Sequence, residues 1–260
     1  MVVPGNYGES VWHGTPLTRE TISMYQKIKQ LYGKKLSASD GLIGHVLDFY
    51  FDDKTWAIRY LVADTGSWLS GRQVLLPQHA FGIHALGRYN TEAEILTVNL
   101  TQKQIEDSPS IETHRPVSRQ YEEDYYRYYG WPTYWQDGGM LGASGFPSVV
   151  PPPDDSQHHG HNQSDDPHLR STKSVTGYQI HATDGEIGSV SGFVMDGRKW
   201  SIREVVVETG HWYSGKEILL LPENITRISY EDSSVFINLT KKNLEQTASN
   251  DVAQAAAGNR

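Results

Sequence analysis

Cysteine is absent from the 260 residues, which removes disulfides, thiol nucleophiles and thiolate-held metals from consideration. Runs of Lys or Arg are missing too, and 31 acidic against 23 basic residues leave a formal charge of −8. A phosphate-backbone partner is disfavoured, because nucleic-acid footprints are ordinarily basic. No stretch approaches the roughly 20 apolar residues needed to cross a bilayer. The opening MVVPGNYGESVWHGTPLTRE lacks the basic start and apolar core of a secretory signal. The expectation is a soluble, cytoplasmic chain with no direct membrane insertion and no nucleic-acid partner. Catalytic signatures are also lacking: there is no Gly-x-Ser-x-Gly elbow, no Walker-type glycine loop and no His-Glu-x-x-His. The chain is therefore expected not to be an enzyme, and to use no cofactor and no metal.

What is present is a sequence that repeats itself. Asp40-Gly41, Gly44, Trp56, Arg59, Thr65-Gly66, Trp68 and Ser70-Gly71 return as Asp184-Gly185, Gly188, Trp200, Arg203, Thr209-Gly210, Trp212 and Ser214-Gly215. Every landmark recurs 144 positions later, so no insertion breaks the frame. Two copies of a unit this long imply two homologous domains rather than a solenoid.

Within a copy, Asp-Gly between β-prone runs predicts a hairpin with a type I′ turn, which needs positive φ at both central residues. Ile43, Val46, Phe49 and Phe51 then form a strand that changes face once, at a bulge. Turns are expected at Asp52-Asp53-Lys54 and Asp196-Gly197-Arg198. From Trp56 to Val62, and from Trp200 to Val206, the period of two predicts strands. Short strands follow at 73–77 and 217–222, and again at 95–100 and 235–239. Thr101 and Thr240 are placed to cap short helices, whose Ile105 and Leu244 would cover an open end. Five or six short strands per copy point to an all-β chain of two small antiparallel barrels with short helices.

The reading divides the chain into an arm (1–20), a first barrel (21–108), an irregular aromatic-rich linker (109–172), a second barrel (173–247) and a tail (248–260). Residues 116–124 can form a helix. After them, YYRYYGWPTYW is densely aromatic, and 138–171 turns to Gly, Pro, Ser, Asp and His, the composition of a linker.

The Asp-Gly-x-Ile-Gly-x-Val pattern, Trp-x-Ile-Arg, Thr-Gly-x-Trp and the Leu-Leu-Pro exit together resemble the PRC-barrel family. That family is named for the cytoplasmic barrel of the photosynthetic reaction centre H subunit, and also occurs at the C-terminus of ribosome-maturation factors. The likeness extends over about 31–106 and 174–246. It implies a compact antiparallel barrel of about six strands in each copy, and a non-enzymatic protein-binding or scaffold role. The alternative it implies is an H-subunit-like accessory to electron or proton transfer at a photosynthetic or respiratory membrane complex. Unlike the reaction-centre subunit, this sequence has no membrane-spanning helix.

Several residue sets invite a functional role. Asp40, Asp184, Asp52 and Asp196 sit beside turn residues and read as solvated turn carboxylates rather than acid–base pairs. Arg59 and Arg203, mid-strand in apolar company, either anchor an anion or partner or make an ion pair. Trp56 and Trp200 read as core, whereas Trp68 and Trp212, beside Thr-Gly turns, are candidate partner contacts. Tyr128, Tyr129, Trp131, Tyr134 and Trp135 form either a docked cover for a barrel or a recognition segment for another protein. His158, His159, His161 and His168 alternate with aspartates, but nothing there would hold a metal in place. The expected partner is another protein, with self-association of the barrels about a pseudo-two-fold axis as a further possibility.

Overall fold

The computed structural model describes residues 25–81, 95–109, 119–131, 169–210, 213 and 215–246. Fifty residues of strand-forming pattern in each half become a curled sheet. In the first half the strands are β2 (Lys35–Ala38), β3 (Gly41–Asp52), β4 (Ile58–Asp64), β5 (Gln73–Pro77) and β6 (Ile95–Thr97), in the order β5-β4-β3-β2-β6. In the second they are β8 (Gln179–Ala182), β9 (Gly185–Asp196), β10 (Ser201–Thr209), β11 (Glu217–Leu220), β12 (Ile225–Ser229) and β13 (Ser234–Ile237), in the order β11-β10-β9-β8-β13-β12.

The expectation of closed antiparallel barrels is corrected on two points. Both sheets are mixed, because β2 pairs β6 and β8 pairs β13 in parallel. Neither sheet closes among the described residues. In the second half, β11 and β12 are consecutive in the chain yet stand at opposite ends of the sheet. Between them Pro222–Asn224 forms one tight helical turn, and proline brings no N–H to a ladder. The chain turns a corner there, and side chains instead of hydrogen bonds fill the gap.

Turn chemistry explains the hairpins. In each half the two loop residues are Ser39-Asp40 and Thr183-Asp184, since Ala38 pairs Gly41 and Ala182 pairs Gly185. The type I′ expectation fails, because neither aspartate has positive φ. Their carboxylates have another use. Asp40 Oδ1 accepts from the Gln102 N–H at 2.7 Å, and Asp184 Oδ1 from the Lys241 N–H at 3.0 Å. Each aspartate thus holds the first turn of the helix that closes its own half, α1 (Gln102–Glu106) and α4 (241–246). Thr101 completes a capping box with Gln104, as its place in the sequence requires. Ile105 and Leu244 are buried in the core.

Gly44 and Gly188 mark the tightest point of each sheet. Their φ values are +138° and +146°, and a Cβ would lie 1.9 Å from the Asp64 carbonyl oxygen or 2.1 Å from that of Glu208. Only glycine fits.

Two bulges set which side chains face inward. One falls at Leu47 and at Ser191, where β3 and β9 change face. A second, unseen in the sequence, falls at Arg59 and Arg203: Ile58 pairs Phe51 but Tyr60 pairs Tyr50, and Ile202 pairs Met195 but Glu204 pairs Val194. This extra residue reverses the alternation. Ile58, Leu61 and Ala63 enter the main core, whereas Tyr60 and Val62 point to the opposite face of the sheet.

The halves exchange arms. β1 (Tyr25–Lys27), which precedes the first sheet, pairs with β9 of the second. β7 (Leu169–Ser171), which precedes the second sheet, pairs with β3 of the first. The register is the same under the 144-residue shift: Gln26 lies opposite Met195, and Arg170 opposite Phe51. Between the sheets Ala57 bridges Ser201, its own equivalent. The Ile58 N–H donates to the Trp200 carbonyl at 2.7 Å and the Ile202 N–H to the Trp56 carbonyl at 2.8 Å. Trp56 and Trp200 do not open strands as expected. They have φ of 60° and 49°, ending the turns that Asp52 and Asp196 hold together. Such backbone is costly for a bulky side chain and is fixed here by the cross-axis bonds and by packing. Phe51 stacks on Trp56 at 5.5 Å and meets Phe193 at 5.6 Å, and Phe81 lies 5.0 Å from Trp200. One main core therefore runs through both halves.

Candidate protein-contact surface

Residues expected to be irregular linker form a helix, α2 (Arg119–Tyr129). The second bulge explains its position. By sending Tyr60 and Val62 to the outer face of the first sheet, it creates an apolar surface there with Leu75, and α2 covers it with Tyr125 and Tyr126. Tyr125 donates its hydroxyl to the Leu75 carbonyl. Glu122 is fully buried and accepts from the Tyr60 hydroxyl at 3.0 Å. Burial, with the negative Glu122 close by, pushes the Tyr126 hydroxyl up to about 12. These groups serve docking, since each polar atom has a local structural partner.

The expected aromatic contacts divide accordingly. Tyr129 is half-buried and stacks on half-buried Trp131 at 4.4 Å; Trp131 in turn faces His79 at 6.0 Å. Tyr128 is exposed and donates its hydroxyl to the Gln104 carbonyl at 3.1 Å. Tyr129 donates to the same carbonyl at 3.3 Å, so both tyrosines tie α2 to α1. Trp68 is half-buried against the main core. Trp212, Tyr134, Trp135 and the histidines at 158–168 lie outside the described residues.

Arg59 sits in its bulge with its guanidinium 3.2 Å from Asp52 Oδ2 and 3.3 Å from Thr55 Oγ1. Asp52 is not a solvated carboxylate: it is 7% exposed, and its Oδ1 also accepts from the Lys54 and Thr55 N–H groups. Burial opposes its charge, but the Thr55 and Lys54 amides and Arg59 outweigh that and hold it below the ordinary value of 3.8. Asp196, 3% exposed, makes the matching bonds to Arg198 and Lys199. Arg203 is exposed, and among the described residues it forms no ion pair.

Sequence reasoning did not single out Leu42 and Ile95, which are 59% and 47% exposed. Leu42 lies opposite Ser37 on β3, and Ile95 lies beside Lys35 on β6. The Leu42 carbonyl accepts from Gln102 of α1 at 2.9 Å. Leu42 and Tyr128 thus attach to the same short helix, from the sheet side and from the α2 side. The second half carries Glu186 where Leu42 stands, and Ser234 where Ile95 stands. Comparing the two copies position by position is the signal that finds them.

Among the described residues no group of three His, Asp or Glu is arranged to hold a metal ion. No described helix is long and apolar enough to cross a membrane. Residues 27–105 match the family model for the PRC-barrel domain, a stretch running from the end of β1 into α1. The match does not extend over the second half. No curated protein matches the chain.

Proposed function

We propose that this chain is a non-enzymatic protein-binding module built from two PRC-type units, and that it engages another protein through the first unit, around α1. The PRC-barrel match over 27–105 supports a module of this class. The observation that carries the choice of surface is the exposure of Leu42 and Ile95 at positions where the second unit has Glu186 and Ser234. Single exposed apolar residues are ordinary. Two on neighbouring strands, with Tyr128 exposed across α1, form a small apolar area of the type that protein contacts use. The titratable groups nearby support the same reading, because Asp40, Asp52 and Glu122 are engaged in caps, turns and helix docking.

The test is affinity capture from the source cell with the full chain, compared with a Leu42→Glu, Ile95→Ser double variant that copies the second unit. A protein retained by the first and lost by the second, with equal thermal stability of the two baits, supports the reading. An identical set of captured proteins rejects this surface, and measured turnover of a substrate rejects the class.

A further inference from the structure

We infer that the two halves recognise one another as non-covalent partners, the exchanged arms being the recognition element, so that the chain connecting them is not needed to hold them together. This stands apart from the proposed contact surface, which lies on the outer face of the first sheet.

If the halves were independent beads, each arm would add to its own sheet. Instead Tyr25–Lys27 takes its hydrogen bonds from β9 and Leu169–Ser171 from β3, in the same register. Separation would therefore strip an edge strand from each sheet at once. It would also break the paired Ile58–Trp200 and Ile202–Trp56 bonds. Phe51 and Phe193, both essentially unexposed, touch across the axis and would become wet. Side chains reinforce one arm strongly. Asp48 of β3 accepts from the Ser171 hydroxyl, the Thr172 hydroxyl at 2.8 Å and the Lys173 N–H at 3.1 Å. Arg170 Nε lies 2.6 Å from Asp53 Oδ2, with both side chains largely buried. Interfaces that share a core and complete each other's sheets behave as obligate contacts rather than loose interdomain ones. The kind of partner each half fits is a second unit of its own type that presents an arm in the same register.

The experiment uses the full chain with a site-specific protease sequence inserted at 150–151 and an affinity tag on the N-terminus. After complete cleavage the C-terminal piece should stay on the resin with the tagged piece through extended washing, and leave only in denaturant. A C-terminal piece that washes through on cleavage overturns the inference. The absence of cysteine allows a second measurement that does not depend on affinity. In a Lys27→Cys, Val194→Cys variant, whose two positions lie directly opposite, oxidation should join the two cleavage products on a non-reducing gel. Products that remain unlinked would show that β1 does not lie on the other half in solution, and would equally overturn it. An Ile202→Pro variant, which removes one cross-axis donor, should speed loss of the C-terminal piece at least about tenfold, since interface changes act mainly on dissociation.

Discussion

The two exchanged arms occupy equivalent places and are held by different chemistry. On the β7 side, Asp48 caps the short helix α3 (Thr172–Val175) and bonds Ser171. The Tyr32 hydroxyl adds a 2.9 Å bond to Thr172. Burial, together with the negative Asp48, drives that tyrosine up to about 12. On the β1 side the equivalent of Asp48 is Gly192, and Ile28 stands in the place of Thr172. Ile28 is buried in the core, and the charged contact is Lys27 with Glu217 at 3.2 Å, both well exposed. One arm is latched by buried polar bonds; the other is pinned by an apolar plug. The lesson is that strand register is shared by symmetry, while the side chains that stabilise it need not be.

The largest effect should come from removing what the halves share. Gly44→Ala and Gly188→Ala should each cost about 3 kcal/mol or more, through positive φ and collision with a backbone carbonyl. Urea denaturation should show one transition shifted equally by either change; two separate transitions would break the picture of a common core. Asp48→Ala should come next, at about 2 kcal/mol, because it leaves the Lys173 N–H and two hydroxyls short of an acceptor. Gly192→Ala, where a Cβ meets nothing within 4 Å, should change stability by less than about 0.5 kcal/mol. Hydrogen exchange at Lys173 should accelerate only in the first of these.

The ion pairs should separate the arms again. Arg170→Ala should cost about 1.5 kcal/mol, as expected for a largely buried charged hydrogen bond. Lys27→Ala, at a solvated pair, should cost less than about 0.5 kcal/mol. Equal values from thermal melts would erase the proposed difference between latch and plug. The smallest effect is a pH dependence. The Asp52 pKa is lowered in the folded chain, so its contribution is present above the ordinary carboxylate value and fades as pH falls through the folded value. The stability gap between the parent and Asp52→Asn should be constant near neutrality and shrink below pH 3.8.

Much of this was legible. The repeat, the Thr101 cap and the face change near Leu47 all follow from residues whose neighbours in sequence are their neighbours in space. The Arg59 bulge was not, because a run such as Trp-Ala-Ile-Arg-Tyr-Leu-Val alternates equally well with or without an extra residue. Only the partner strand shows that Arg59 is unopposed, and that its guanidinium reaches Asp52 for this reason. Helix α2 was half visible: the aromatic density marked the segment, but its cover site exists only because the bulge turns Tyr60 outward. Leu42 and Ile95 carried no signal alone, since a strand's solvent face tolerates isolated apolar residues.

The amino-acid order alone determined that there are two copies, that they are made of short strands, and where glycines and caps must fall, because turns and caps are settled within a few bonds of the backbone. Tertiary structure alone decided that β1 and β7 change places, that the sheets stay open, and which tryptophans lie on the axis. A three-residue strand has no periodicity of its own and too few bonds to choose a partner. Its choice is made by the edge that offers both a free ladder and a buried site for the next side chain, and that edge belongs to the other half.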